Sequence, residues 1–425
     1  MNIAMFTNTY LPHVGGVAQS VQRFARAFRR RGHRVLIAAP RYPEAPDSET
    51  GVVRVPALQH FNGSDFSVAL PLSLELADEL RAFAPDLLHS HHPFLLGNTA
   101  LRAAAKYDVP LVFTHHTMYE CYTHYAPLDL PAFRTYIQRL ATGYANLCDG
   151  VVAPSESVAR ILRQRGVVRP VQVAATGVDL KDYAAGDAAA ARTRFGIPDD
   201  AFLIGHVGRL APEKNLDFLA PALAEALEHL PTSRLLVVGS GPSVPAMRQT
   251  FRERGVGQRV VFAGTLVEQE LVDAYHAMDV FAFASKTETQ GMVLVEALAT
   301  GCPVVAIDAA GAREVVQDES NGRLLEDEDP WAFAQALAWV AGLGERQRRA
   351  LKRRAARSAK PFSTSRCAKR VLRFYREILA RGPLARRSNA GDWPQLLRAI
   401  RREWELWANK AKAAGEAIAG NSNST

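Results

Sequence analysis

NIAMFTNTYLPHVGGVAQSVQRFARAFRRRGHRVLIAAP, residues 2–40, passes through three different residue patterns in turn. NIAMFT is short, apolar and bounded by turn residues, the pattern of a buried strand. HVGGVAQ is a tight glycine loop. SVQRFARAFRRRG has helical spacing, with Val21, Phe24, Ala25 and Phe28 on one face and Gly32 placed to end the helix. HRVLIAAP is a second apolar run. Strand, loop, helix and strand in that order make a βαβ unit, which implies a parallel sheet with right-handed crossovers.

The same rhythm continues outward through DLLHSHHP (86–93), PLVFTHH (110–116), GVVAPS (150–155) and PVQVAATG (170–177). It restarts after DLKDYAAGDAAAARTRFGIPDD (179–200), an alanine-rich polar stretch that reads as an interdomain hinge. The second series is FLIGHVG, RLLVVGSG, RVVFAG, DVFAFAS and PVVAID, between residues 202 and 308. The expected fold class is therefore α/β, with two Rossmann-like domains, 1–178 and 179–361, facing each other across a cleft. A chain of 425 residues suits two cores better than one. FSTSRCAKRVLRFYREILARG (362–382) reads as an amphipathic helix crossing back to the N-terminal domain. Residues 383–425 form a basic amphipathic extension with a Trp- and Arg-bearing helix at 394–413.

Hydrophobic residues make up 48% and charged residues 22%, the balance of a soluble globular protein rather than a disordered one. No apolar run is long enough to span a membrane. The first residues lack a basic segment followed by an apolar one, so a cytoplasmic location is expected. Cys121, Cys148, Cys302 and Cys367 are scattered without C-x-x-C spacing and read as reduced thiols. The net charge of +8 favours acidic partners. Its clusters at 23–34, at 346–360 and in the tail lack a groove-entering or aromatic-interleaved motif, which argues against nucleic acid.

In open α/β sheets ligands gather at the carboxyl ends of strands, so the residues just after each strand matter most. After FLIGHVG comes GRLAPEKN, where Arg209 and Lys214 can converge on one dianion. After DVFAFAS comes TETQGMVLVEALATG, with Glu288 in the loop and Glu296 eight residues on, inside a helix apolar on nearly every side. A buried carboxylate there needs a partner, either an internal one or a ligand diol. The N–H groups of Gly291, Met292 and Val293 open that helix and suit phosphate. Gly15 and Gly16 open the first helix in the same way. VGSGPSV approaches the dinucleotide fingerprint but has Val244 in the third glycine place, which disfavours an oxidoreductase. The histidines of HSHHP and FTHHTMYE suggest metal at first sight. Adjacent positions in an extended segment point to opposite faces and no carboxylate completes a set, so one imidazole hydrogen-bonding a polar substrate is the expectation.

Together these residues resemble the family 4 retaining glycosyltransferases, which have the two-Rossmann GT-B fold, from Met1 to about Leu379. The spacing of Glu288 and Glu296 followed by ALATGCPVVAID is the most specific part. The resemblance implies that Glu288 contacts the donor sugar, Glu296 the nucleotide ribose, and Arg209 and Lys214 the diphosphate. Gly15, Gly16 and His116 of the "HT" pair complete the donor site. Within the family, TETQG, FTHHTMYECYTHYAP and HVGGVAQSV are most similar to bacterial enzymes that glucosylate diacylglycerol. That implies UDP-glucose as co-substrate, no metal or other cofactor, a lipid acceptor near Tyr119, Tyr122 and His124, and peripheral contact with the anionic inner face of the cell membrane. A mannosyl or glycan-elongating transferase is the alternative, and a nucleotide-sugar epimerase a weaker one. Oligomeric state is not legible.

Overall fold

The computed structural model describes residues 1–13, 15–46, 48–58, 68–69, 74–120 and 131–383. They fall into two units, Met1–Thr176 with the chain from Thr364 onward, and Gly177–Ser363.

The first unit begins β1 (Asn2–Phe6), α1 (Gly16–Arg29), β2 (Arg34–Pro40), β3 (Val52–Val55), with a short pair β4 (Ala57–Leu58) and β5 (Val68–Ala69). It continues α2 (Leu74–Phe83), β6 (Leu87–Ser90), α3 (Leu96–Tyr107), β7 (Leu111–Thr114), α4 (Pro131–Leu147), β8 (Gly150–Ala153), α5 (Glu156–Gln164) and β9 (Val171–Val173). Its main sheet runs β3-β2-β1-β6-β7-β8-β9, parallel throughout. Strands covered on both faces are apolar at successive positions rather than alternating, and Ile3, Ala4, Met5 and Phe6 are all buried. The buried face of α1 includes Val21, Phe24, Ala25 and Phe28, as its spacing predicts.

The second unit contains α6 (Ala188–Arg194), β10 (Leu203–Val207), α7 (Leu216–His229), β11 (Arg234–Val238), α8 (Val244–Glu253), β12 (Val260–Gly264) and α9 (Glu268–Ala277). Then come β13 (Val280–Phe283), α10 (Met292–Ala299), β14 (Val304–Ile307), β15 (Gly322–Leu325), α11 (Pro330–Ala341) and α12 (Glu345–Ser358). Its sheet, β12-β11-β10-β13-β14-β15, is also parallel throughout. Two clusters of buried aliphatic and aromatic side chains cover its faces.

The last helix, α13 (Thr364–Arg381), belongs to the first unit. It packs on α1, with Tyr375 edge-on to Phe28 at 5.7 Å and Arg31 donating to the carbonyl and hydroxyl of Ser365 at 3.0 and 2.8 Å. Its buried stripe includes Cys367, Val371, Leu372, Phe374 and Ile378. Arg366, Lys369, Arg370, Arg373 and Arg376 are exposed.

One expectation is corrected. The stretch 179–200, read as a hinge, is built into the second unit. Asp187 accepts from the Ala190 N–H at 2.8 Å to start α6, and Arg192 pairs with Asp279 at 3.0 Å. Four consecutive alanines read as low complexity, but alanine is the strongest helix former and a capping Asp precedes them. Cys148, Cys302 and Cys367 are buried free thiols. Cys121 and the extension beyond residue 383 lie outside the described residues.

Candidate active site

In the second sheet β11 and β13 flank β10 on opposite sides, so the chain order reverses at the β10–β13 boundary. The crevice outside the carboxyl ends of such a pair is where doubly wound sheets take their ligands. The two loops that leave it are 208–215 and 284–291, which carry Arg209, Lys214 and Glu288.

These loops are stapled together. Thr287 and Ser285 donate their hydroxyls to the Glu213 carbonyl at 3.0 and 3.3 Å, and the Asn215 amide donates to the Ala284 carbonyl at 3.1 Å. The outcome is a direct ion pair between the Lys214 ammonium and the Glu288 carboxylate. Their side chains are only 18% and 19% exposed. Arg209 is exposed on the same loop. The loop 208–210 in turn rests on the residues after β11, where a Cβ on Gly239 would stand 1.9 Å from the Gly208 carbonyl oxygen, and one on Gly241 2.2 Å from that of Leu210.

Gly291, at φ 66°, caps α10 with no side-chain cap, and Met292 and Val293 form its half-buried first turn. Glu296, one turn further, is 4% exposed, and the Tyr275 hydroxyl of α9 donates to it at 3.3 Å. Burial, and next the Glu296 charge, push the Tyr275 phenol well up, so it remains a donor. The carboxylate that looked stranded in an apolar helix thus has an internal partner.

In the first unit Gly15 caps α1 in extended backbone and Gly16 is its exposed first residue, again with no side-chain cap. The histidines lie at the carboxyl ends of β6 and β7. His89 Nε2 is 2.6 Å from the Thr114 hydroxyl and its Nδ1 meets the Tyr375 hydroxyl. His91 Nδ1 is 2.8 Å from His116 Nε2. His92 Nδ1 accepts from the Asn8 N–H at 3.0 Å. Burial pushes His89, His92 and His115 down to about 3. Burial first, then neighbouring imidazoles, push His91 and His116 well below the usual range. All five are therefore neutral at physiological pH.

Tyr119 sets its ring edge-on to Phe94 and His115, and its hydroxyl is enclosed. Tyr122 and His124 lie outside the described residues. Among the described residues no group of three or more His, Cys, Asp or Glu is arranged to hold a metal ion. The one D-x-D spacing in the chain, Asp327 and Asp329, serves structure in part: Asp329 caps α11 through the Trp331 N–H at 2.9 Å. Glu328 between them pairs with Lys286 at 2.7 Å. Sequence reading missed His91 as a partner of His116, although strand alternation in HSH signals that His89 and His91 share a face. It also missed Tyr275, for which no sequence signal exists.

The chain matches the family model Glycosyltransferase Family 4 over residues 14–182 and the model Glycosyl transferases group 1 over residues 201–342. It is 28% identical to the alpha-monoglucosyldiacylglycerol synthase of Streptococcus pneumoniae, over 80% of this chain and 79% of that protein. It is 32% identical to the GDP-mannose-dependent alpha-mannosyltransferase of Mycobacterium tuberculosis, over 83% of this chain and 90% of that one. The chain belongs to glycosyltransferase family 4. As a family 4 glycosyltransferase it transfers a sugar from a nucleotide sugar, and its two parallel sheets are those of the GT-B fold. The crystal structure of Anabaena HepE in complex with UDP has that fold too, with a TM-score of 0.70 at 21% identity over 89% of this chain and 100% of that one. Among the described residues of this glycosyltransferase no helix is long and apolar enough to cross a membrane.

Proposed function

We propose that this glycosyltransferase moves glucose from UDP-glucose to the hydroxyl of a lipid such as diacylglycerol, with retention, forming an α-glycoside at the inner face of the cell membrane. The observation that carries the donor half is the Lys214–Glu288 pair, with Arg209 exposed on the same loop as Lys214, at the switch point of the second sheet. In the structure the two charges balance each other. A donor diphosphate offers Lys214 and Arg209 a stronger counter-charge, and Glu288 is then released to accept hydrogen bonds from sugar hydroxyls.

Glu296 takes the ribose diol in this reading. The uncapped starts of α10 (Gly291, Met292, Val293) and α1 (Gly15, Gly16) bring N–H groups to anionic oxygens. Stabilising the charge that develops on the leaving diphosphate is then the main catalytic task, and it needs no metal. The bond from C1 to the phosphate oxygen breaks, the acceptor oxygen bonds to C1 on the same face, and its proton passes to the departing phosphate. The first unit supplies His116 for the donor hydroxyls, and the segment with Tyr119, Tyr122 and His124 serves the acceptor.

The lipid acceptor is supported by the S. pneumoniae relative and by exposed Arg and Lys rows on α12 and α13. A second reading, mannosyl transfer from GDP-mannose, is favoured by the higher identity to the M. tuberculosis relative. Crossing UDP-glucose, UDP-galactose and GDP-mannose with diacylglycerol in anionic vesicles and with soluble acceptors separates them. Transfer from UDP-glucose to diacylglycerol, falling as salt is raised, is expected. Equal rates on a soluble acceptor without lipid overturn the lipid assignment, and transfer from GDP-mannose alone overturns the donor.

A further inference from the structure

The β6 and β7 ends carry a side-chain ladder of which the transfer mechanism above uses His116 alone. The strands pair in parallel with His89 opposite Val112 and Ser90 opposite Phe113. Alternation puts His89 and His91 on one face of β6 and Thr114 and His116 on the same face of β7. Two rungs result, His89 to Thr114 at 2.6 Å and His91 to His116 at 2.8 Å. The His89 and His91 rings lie 4.1 Å apart, and Tyr375 from α13 closes the ladder against His89. The His91 backbone is pinned as well, its N–H donating to the Phe6 carbonyl of β1 at 2.9 Å.

Between two neutral imidazoles one nitrogen must donate. His91 Nε2 is buried with no hydrogen-bond partner. If His91 accepted at Nδ1, its proton would sit on that Nε2 as a buried N–H without an acceptor, the rarer and costlier kind of orphan. We propose that His91 is a positioning residue for His116, donating its Nδ1–H to His116 Nε2 and so placing the His116 proton on Nδ1. This rests on the reading that His116 contacts the donor sugar: the tautomer fixes which ring nitrogen can give a hydrogen bond to a hydroxyl oxygen and holds the ring in one orientation.

The test uses the full chain with nitrogen-labelled histidine. Long-range proton–nitrogen spectra, with His116 identified by the signals lost in His116→Gln, should show Nδ1–H and bare Nε2 in the wild type. His91→Leu should mix the His116 tautomers and lower kcat between about threefold and tenfold, the worth of one net hydrogen bond, with KM for the donor little changed. His91→Asn places an amide N–H near the lost Nδ1 and should restore both the tautomer and most of kcat. A wild-type spectrum with the proton on Nε2 overturns the proposal without any variant. So does a His91→Leu protein with unchanged His116 tautomer and unchanged kcat. Full turnover in His116→Ala overturns the role given to His116 itself, and the wild-type spectrum still decides the hydrogen bond separately.

Discussion

Lys214 and Glu288 are the residues whose chemistry most constrains the rest. A half-buried ion pair contributes little net stability, because desolvation offsets much of the attraction. In the proposed donor site its significance is competition: Glu288 holds the ammonium that the diphosphate would take. Glu288→Gln should therefore bind UDP about threefold tighter or more, while turnover falls on the order of a hundredfold. Calorimetry beside initial rates measures both, and a loss of UDP affinity in that variant would mean Glu288 supports the diphosphate site rather than contesting it. Glu296 calls for a different probe, since Tyr275 already satisfies part of its carboxylate. If the remainder meets the ribose, Glu296→Gln should lose affinity for UDP but not for its 2′,3′-dideoxy analogue. Equal losses for the two ligands would confine Glu296 to an internal role. Glu296 stood out because a carboxylate in MVLVEALA violates the local pattern, and Glu288 because it follows the carboxyl end of a strand. Tyr275 was not, since a tyrosine on an amphipathic helix is unremarkable until α9 and α10 are placed side by side.

Elements tell a parallel story. Most of the order of strands and helices was readable because buried parallel strands are continuous apolar runs and each helix has one apolar face; the edge strands β3 and β15, each interrupted by an Arg, were not read. One stretch was not read correctly, for a physical reason. Asp187-Ala-Ala-Ala-Ala combines a cap with strong helix formers, yet its composition resembles a linker. VGSG only approaches the dinucleotide fingerprint, and its glycines have a packing role that the motif does not reveal: Gly239 (φ 130°) and Gly241 (φ 154°) let the end of β11 press against the loop carrying Arg209. That contact is backbone to backbone and cannot yield as a side chain would. Gly239→Ala should cost about 2 to 4 kcal/mol, combining a strained φ with overpacking, and should weaken UDP binding by displacing residues 208–214. Denaturant titration and UDP calorimetry measure the two effects, and a variant with wild-type stability would refute the packing role.

Across the whole molecule the buried imidazoles set a pH limit. His89, His91 and His115 in the first unit, and His206 in the second, are almost fully buried. Burial lowers His89 and His115 to about 3, His206 to about 4, and His91 well below the usual range. The unfolded chain takes up a proton at each near pH 6.5, and the folded chain refuses it until far lower. Stability from these groups is therefore complete above about pH 6.5 and is lost as pH falls from there towards the folded values, at about 1.4 kcal/mol per group per pH unit. With His92 and His116, which burial lowers in the same way, five such groups in the first unit against one in the second make the first unit the more acid-sensitive. Set against a total stability of about 5–15 kcal/mol, one pH unit below 6.5 is a large perturbation. Hydrogen exchange of the full chain at pH 7.5 and 5.5, corrected for intrinsic rates, should show protection falling much more in peptides from β6 and β7 than in those from β10 and β11. Equal losses in both sets would mean that carboxylate pairs, which occur in both units, govern the acid response instead of the imidazoles.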